Sequence, residues 1–373
     1  MNHKGISSLS SRTISWLRFA CACLVVLLHA FGPPAAPGQA IVWSNGVYDT
    51  VRILLSQGIC QIAVPVFFLI SGYLFFVRLE EWTGTRYKEK MKRRVRNLVV
   101  PFLLWGLIAL AVELAVACYK GASPVQWLSD RGWILPLWNN GRFHFNGARN
   151  ILGWTMYNEA LPLVYPLWFV RELIVLNLFA PAIHWWVRKT KAWGLAVLFL
   201  LYLFNIWIPL EGFHAGGTFF YSLGAYWRIN RQDLTVRCRK WAVPAGIVSL
   251  LLLVGMVLTY QVHHPVYTGL CRVFALTGSV SAIALAAIGL EKGRLQVHPF
   301  LTQSSFFVFA GHTLYVRAIA CGLIGLLIPT STQAGLTLTY LLTAPVCVAI
   351  ILAVYALLKR LLPKMTSVLT GGR

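Results

Sequence analysis

Arg18 and His29, an arginine and a histidine eleven positions apart, interrupt the first apolar run of the chain, Ile14–Phe31. A segment of that length crosses most of a bilayer. Ionisable groups in such a helix are costly, so they usually face a polar interior and mark a site or a pathway. At 100° per residue, eleven residues return to within about 20° of one face and climb about 16.5 Å. Ala22 and Val25 lie between the two on that face, and the stripe predicts one wall of a cavity crossing much of the membrane. The imidazole offers a base near working pH, and the guanidinium offers a fork for phosphate or amide groups. The alternative is simpler: Arg18 snorkels to the headgroups and His29 sits at the helix end.

Other residues could join that chemistry. Arg93, Arg94 and Arg96, with Lys90 and Lys92, form a basic cluster that either binds phosphates or anchors the chain on anionic lipid. Arg171 and Glu172 fall inside an apolar run, where unpaired charge is expensive. They form an acceptor site, orient His29, or make a structural pair. His312, with Ser304 and Ser305 nearby, either lines the same cavity or packs. Tyr73 and Trp168 are further candidates for the cavity lining. Ser71 precedes Gly72, and a small pair of this kind suits close helix approach better than catalysis. No Gly-X-Ser-X-Gly elbow or papain-like cysteine context occurs. The eight cysteines are scattered with no metal-type spacing, so neither a metal site nor a disulfide framework is expected.

These groups need helices to carry them. Hydrophobic residues make up 58% of the 373 and charged residues 12%, which excludes an ordinary soluble domain and implies a polytopic helical membrane protein. The net charge of +22 would suggest nucleic acid in a soluble chain, but cytoplasmic loops concentrate Lys and Arg, and no nucleic-acid partner is expected. Ten spans are predicted, roughly 14–32, 59–78, 98–118, 164–185, 193–209, 214–228, 242–260, 267–289, 303–328 and 335–358. With both termini inside, 24 of the 33 Lys and Arg fall on the inner side. The short, Gly- and Tyr-rich sixth span is kept because deleting it would invert every later loop and destroy that asymmetry. The polar start reads as retained rather than as a signal peptide. No internal repeat and no separate soluble domain is evident, so residues 1–373 read as one integral membrane domain.

The largest extramembrane element is an outer loop, 119–163. It carries Trp127, Trp133, Trp138 and Trp154 with Asn139, Asn140, Asn146 and Asn150. Aromatic faces beside amides suit sugar binding. Tryptophans resting at the interface as a belt are the bland alternative.

Six segments in order give the chain a resemblance to the acyltransferase 3 family. They are Arg18 with His29, matching Arg-X10-His; PVFFLISGYLFF (65–76); KRRVRNLVVPFLLW (92–105); PLWFVRELIVLNLFAP (166–181); FFYSLGAYW (219–227); and SSFFVFAGHTLYV (304–316). Many members place a basic residue four before the proline of the third motif, where this chain has Asn97. The resemblance implies an integral membrane enzyme of the inner (cytoplasmic) membrane. It would move an acyl group from cytoplasmic acyl-CoA, with acetyl-CoA the expected donor, onto a surface glycan or its lipid-linked precursor.

In that chemistry His29 is the best base for the acceptor hydroxyl, and Arg18 holds a phosphate or the pantetheine amides. The basic cluster of Arg93, Arg94 and Arg96 binds CoA. Direct attack by a His-activated hydroxyl is favoured over a Ser or Cys acyl-enzyme, with a transient acyl-histidine as the variant. Two rival readings remain: an exporter of polysaccharide or lipid-linked glycan, and a receptor or structural subunit whose buried charges are interhelical glue.

Overall fold

The structure, a computed structural model, describes residues 5–30, 46–140, 161–208 and 210–372. Among these, all regular secondary structure is helical. The helices are α1 (Ser8–Leu28), α2 (Val47–Phe75), α3 (Gly84–Tyr119), α4 (Pro124–Asp130), α5 (Trp168–Leu178) and α6 (Ala180–Phe204). They continue as α7 (Ala215–Ile229), α8 (Leu234–Lys240), α9 (Ala242–Thr259), α10 (His264–Glu291), α11 (Pro299–Gly325), α12 (Gln333–Leu361) and α13 (Pro363–Leu369).

All ten predicted spans fall on helices, but length alone does not make ten crossings. Among the described residues seven helices are long and apolar enough to cross a membrane, and the bent pair Tyr165–Leu178 and Ala180–Phe204 raises this to eight. The sixth predicted span is α7, whose 15 residues reach only about 22 Å. The boundary between the fourth and fifth spans also differs from the expectation. The chain bends by 67° at Phe179, where Pro181 opens α6 and its ring would clash with the carbonyl four residues back. A second break follows at Lys191 (φ 53°, ψ −133°).

The chain divides into two compact units, one of Met1–Glu81 with Phe220–Leu357 and one of Trp82–Phe219 with Leu358–Arg373. In the first, α1 packs against α11, α10 and α2, and α9 packs along α10. The buried face of α1 reads Ser10, Thr13, Ile14, Leu17, Cys21, Val25, the three-and-four spacing of a helix pressed on a core. Helix α2 meets α7 backbone to backbone. A Cβ on Gly72 would lie 2.0 Å from the Tyr221 carbonyl oxygen, and one on Gly224 would lie 2.0 Å from the Leu69 oxygen. Gly72 and Gly224 therefore permit the close approach of α2 and α7.

A polar knot fixes the start of α1. Asp233 caps α8 by accepting from the Thr235 and Val236 amides at 3.0 and 3.1 Å, and it also accepts the Ser10 hydroxyl at 2.9 Å. Beside it Arg228 binds Glu80 and the Gly5 carbonyl. Burial alone would raise both carboxyls. Hydrogen bonds to Asp233 from Ser7, Thr235, Val236 and Ser10 outweigh it, as do backbone amides and Arg228 at Glu80, and both groups sit below the usual carboxylate range. In the second unit, α3 packs against α4, α5 and α13, and the Trp105 indole donates to the Leu369 carbonyl at 3.0 Å.

Candidate functional site

In the first unit His29 is the C-cap of α1 (φ −97°, ψ 2°), its amide still bonded to the last turn. That turn is tied down from outside: Ser56 Oγ donates to the Leu27 carbonyl at 3.0 Å and lies 2.7 Å from the Tyr340 hydroxyl. Ser56 itself belongs to a π turn, Ile53–Gly58, inside α2. Against the His29 ring lies that of His312, with centroids 5.5 Å apart and planes within 15°.

The second histidine is fully buried. Its Nδ1 is 2.8 Å from the Phe309 carbonyl oxygen. A carbonyl only accepts, so Nδ1 carries the proton and Nε2 the lone pair. Nε2 has no partner among the described residues. The helix loses its regular ladder here: residues His312–Val316 form a π turn in which Leu314 (φ −75°, ψ 64°) and Tyr315 (φ 60°, ψ −12°) leave helical geometry. Ser304 and Ser305 do not contribute to this pair, because their hydroxyls donate to Leu301 and Thr302 of their own helix.

Arg18 lies three turns below His29 and is half-buried, as is His29. Between them the stripe departs from the expected cavity wall. Ala22 and Val25 are 0% and 2% exposed, so the middle of the stripe is packed against protein and only its two ends carry accessible surface. Helical periodicity puts these four residues within one sector of α1 but does not say what covers that sector.

Tyr73 is not brought to His29. Its buried ring lies under the Arg228 guanidinium at 5.9 Å, beside the knot at the start of α1. Tyr73, and Ser71 half a turn before it, therefore sit at the opposite end of α1 from the histidine pair.

In the second unit, α5 carries Trp168, Arg171 and Glu172. Arg171 and Glu172 are both 0% exposed. Arg171 Nη1 donates to the Trp138 carbonyl at 2.7 Å, and its guanidinium lies 5.6 Å from the Trp138 ring. Glu172 grips a residue that sequence reasoning missed, His214. Oε1 accepts the His214 amide at 2.9 Å, and Oε2 lies 3.1 Å from its Nδ1. Trp168 meets the same ring edge-on at 6.1 Å. Asn139 donates to Glu211 at 2.7 Å, and Gly212, next to Glu211, lies against the Arg171 side chain.

Three segments predicted to lie outside the membrane or at its outer edge thus converge in one cluster. It has a buried Arg171–Glu172 floor and a half-buried rim of Trp138, Asn139, Trp168, Glu211 and His214. Such a rim offers sugar hydroxyls both donors and acceptors beside aromatic faces. Of the remaining loop candidates, the Trp127 ring takes the Arg131 guanidinium at 4.1 Å and Asn140 bonds the Pro162 carbonyl. Trp133 is exposed. Trp154, Asn146 and Asn150 lie outside the described residues.

The basic cluster spans the polar first turns of α3 and a π turn, Val95–Val99. Arg93 and Arg96 are exposed and Arg94 half-buried, a surface that suits phosphates. Asn97, at the position where basic residues are common, backs onto the C-terminal turn. Gly371 adopts φ +72°, and a Cβ there would lie 2.5 Å from the Asn97 carbonyl oxygen.

A chain of apolar helices, with one histidine capping the first helix against the ring of a second and a buried arginine–glutamate floor in another, has the parts of a group-transfer enzyme embedded in lipid. The sequence profile of the acyltransferase 3 family, described as an acyltransferase domain, matches residues 12–358, and the chain belongs to that family. It is a multi-pass membrane acyltransferase, of the kind that transfers groups other than aminoacyl groups. Among characterised proteins it is similar to the succinoglycan biosynthesis protein ExoH of Rhizobium meliloti (strain 1021). The two are 24% identical over 388 residues, covering 97% of this chain and 92% of that protein. No solved structure matches the chain.

Proposed function

We propose that this protein, working in the cytoplasmic membrane as a single acyltransferase domain, moves an acyl group from cytoplasmic acyl-CoA to a hydroxyl of an extracytoplasmic or lipid-linked glycan. Acetyl-CoA is the simplest donor. The observation that carries the reading is the placement of Arg18 and His29 on one helix of a membrane acyltransferase, half-buried and about 16.5 Å apart along its axis.

His29 takes the hydroxyl proton as the oxygen attacks the thioester carbon, the C–S bond breaks, and the proton passes to the sulfur. Arg18 steadies the donor's pantetheine or phosphate groups, and Arg93, Arg94 and Arg96 draw the CoA phosphates to the inner face. The glycan acceptor is supported by the name of the relative, a succinoglycan biosynthesis protein. The half-buried rim of Trp138, Asn139, Trp168, Glu211 and His214, whose chemistry suits a sugar, lends further support. Export, the rival reading, gains nothing from α1, whose stripe is packed shut at Ala22 and Val25.

Sealed vesicles of known orientation test the reading. Acetyl-CoA supplied only on the cytoplasmic side should support modification of a glycan confined to the other side, read as a mass gain of one acetyl group. Modification only when both substrates share a side would overturn the transmembrane transfer.

A further inference from the structure

The His29–His312 stack contains an atom that packing does not explain. The large majority of buried side-chain polar atoms are hydrogen-bonded, so an orphaned one calls for an explanation. His312 has Nδ1–H committed to the Phe309 carbonyl, while Nε2 is buried with no partner among the described residues. Its tautomer is therefore locked as an acceptor beside the ring of His29. Among the described residues no carboxylate bonds His312, in contrast to the Glu172–His214 arrangement of the other unit.

We propose that His312 is a positioning residue for acyl transfer, its Nε2 receiving the N–H of the His29 imidazolium formed when His29 takes the acceptor's proton. The inference rests on the reading of His29 as the base. The proton leaves the hydroxyl for His29 and then joins the departing sulfur; His312 neither gains nor loses one. In the structure the rings are within 15° of parallel, and because the Nε2 lone pair lies in the plane of its own ring, the bond forms once the two rings turn relative to one another.

Three features agree with this role. The π turn begins at His312 itself, and such turns recur at functional sites. The Ser56 hydroxyl fixes the last turn of α1, which limits where the His29 ring can go. Titratable groups beside the pair include Arg317 on α11, with Cys347 and Tyr340 on α12; Cys347 lies 4.0 Å from the His312 carbonyl oxygen and Tyr340 bonds Ser56. None of these offers a base that replaces Nε2 near neutral pH.

The test compares His312→Leu, His312→Gln and His29→Ala in the full-length protein reconstituted with acetyl-CoA and its glycan acceptor. Leu removes the acceptor atom, while the Gln carbonyl can stand near Nε2. The Leu variant should lower kcat by about 10- to 100-fold, within the range of base catalysis, with both KM values nearly unchanged. Without the acceptor the imidazolium is less stable, so the acid limb of the kcat/KM profile should move to lower pH as the plateau falls. The Gln variant should recover most of the plateau and return the limb toward wild type.

A Leu variant with the wild-type plateau and limb would overturn the proposal. So would equal losses in Leu and Gln with matching drops in thermal stability. If Leu does not fold, His312→Ala takes its place, with the same supporting and overturning outcomes. Activity in His29→Ala would instead remove the base on which the proposal rests, a separate failure.

Discussion

Glu172 holds His214 twice, through the backbone amide at 2.9 Å and through ring Nδ1 at 3.1 Å, with the carboxylate side chain 1% exposed and the imidazole 40% exposed. This double grip fixes the imidazole's tautomer and its direction together. Replacing Glu172 by Leu strips both contacts, and should destabilise the protein by about 1–3 kcal/mol in detergent thermal unfolding. His214→Ala should raise the acceptor KM about tenfold, the scale of one good hydrogen bond, and leave the acetyl-CoA KM unchanged. Equal shifts in both constants would detach the rim from the acceptor.

His29→Ala should reduce acyl transfer by about 10²–10⁴-fold with the protein still inserted and folded. Mass spectrometry of the glycan reads the loss, and near-normal modification would remove His29 from the mechanism.

Replacing Arg93, Arg94 and Arg96 together by Gln should weaken CoA binding by about tenfold, since exposed charges such as Arg93 and Arg96 each contribute less than about 1 kcal/mol. Wild-type affinity should also fall with added salt while the variant's stays flatter, because exposed charges are screened. Titration of CoA into detergent-solubilised protein measures both, and an unchanged affinity would reduce the cluster to a topology signal.

Gly72→Ala or Gly224→Ala should lower the yield of folded protein sharply. The new methyl would lie 2.0 Å from a backbone carbonyl oxygen in either case, and backbone cannot step aside as a flexible side chain does. A cost of about 3 kcal/mol or more is expected, at the upper end of overpacking effects. Size-exclusion chromatography of the solubilised variants, beside Gly246→Ala where a Cβ meets nothing within 4 Å, isolates the effect.

Asp233 gives a pH dependence with a definite sign. Its carboxyl is lower in the folded protein than in the unfolded chain, so its stabilisation is complete above the ordinary carboxylate pKa of about 4 and fades as pH falls through the folded value. Asp233→Ala should cost about 1 kcal/mol, the scale of a helix cap. The deficit should shrink in melts run from pH 6 toward pH 3.

The positions of the helices were legible in the sequence because apolar runs and Lys and Arg placement report directly on lipid. Arg18 and His29 stood out because ionisable residues are rare in such runs. What stayed hidden depends on partners far apart in the chain. Nothing near His214 announces Glu172, and although His312 was a candidate for the cavity of His29, nothing in the sequence says that the two rings stack. The π turns at Ile53–Gly58, Val95–Val99 and His312–Val316 leave no compositional mark. The bend at Phe179 could have been placed from Pro181, whose ring forbids a continuous helix, but the apolar run across it hid the break.

The packed middle of the α1 stripe bears on the energetics of the cell as well as on the reaction. An energised membrane stores its proton gradient only while every protein in it stays insulating. A helix with ionisable groups at two depths is an invitation to short-circuit, since water threading between them would carry protons down the gradient. Ala22 and Val25, with almost no surface left for water, interrupt that wire. A donor arm running along α1 from Arg18 to His29, as proposed, would have to displace that packing, and the bilayer is tight wherever the packing is kept.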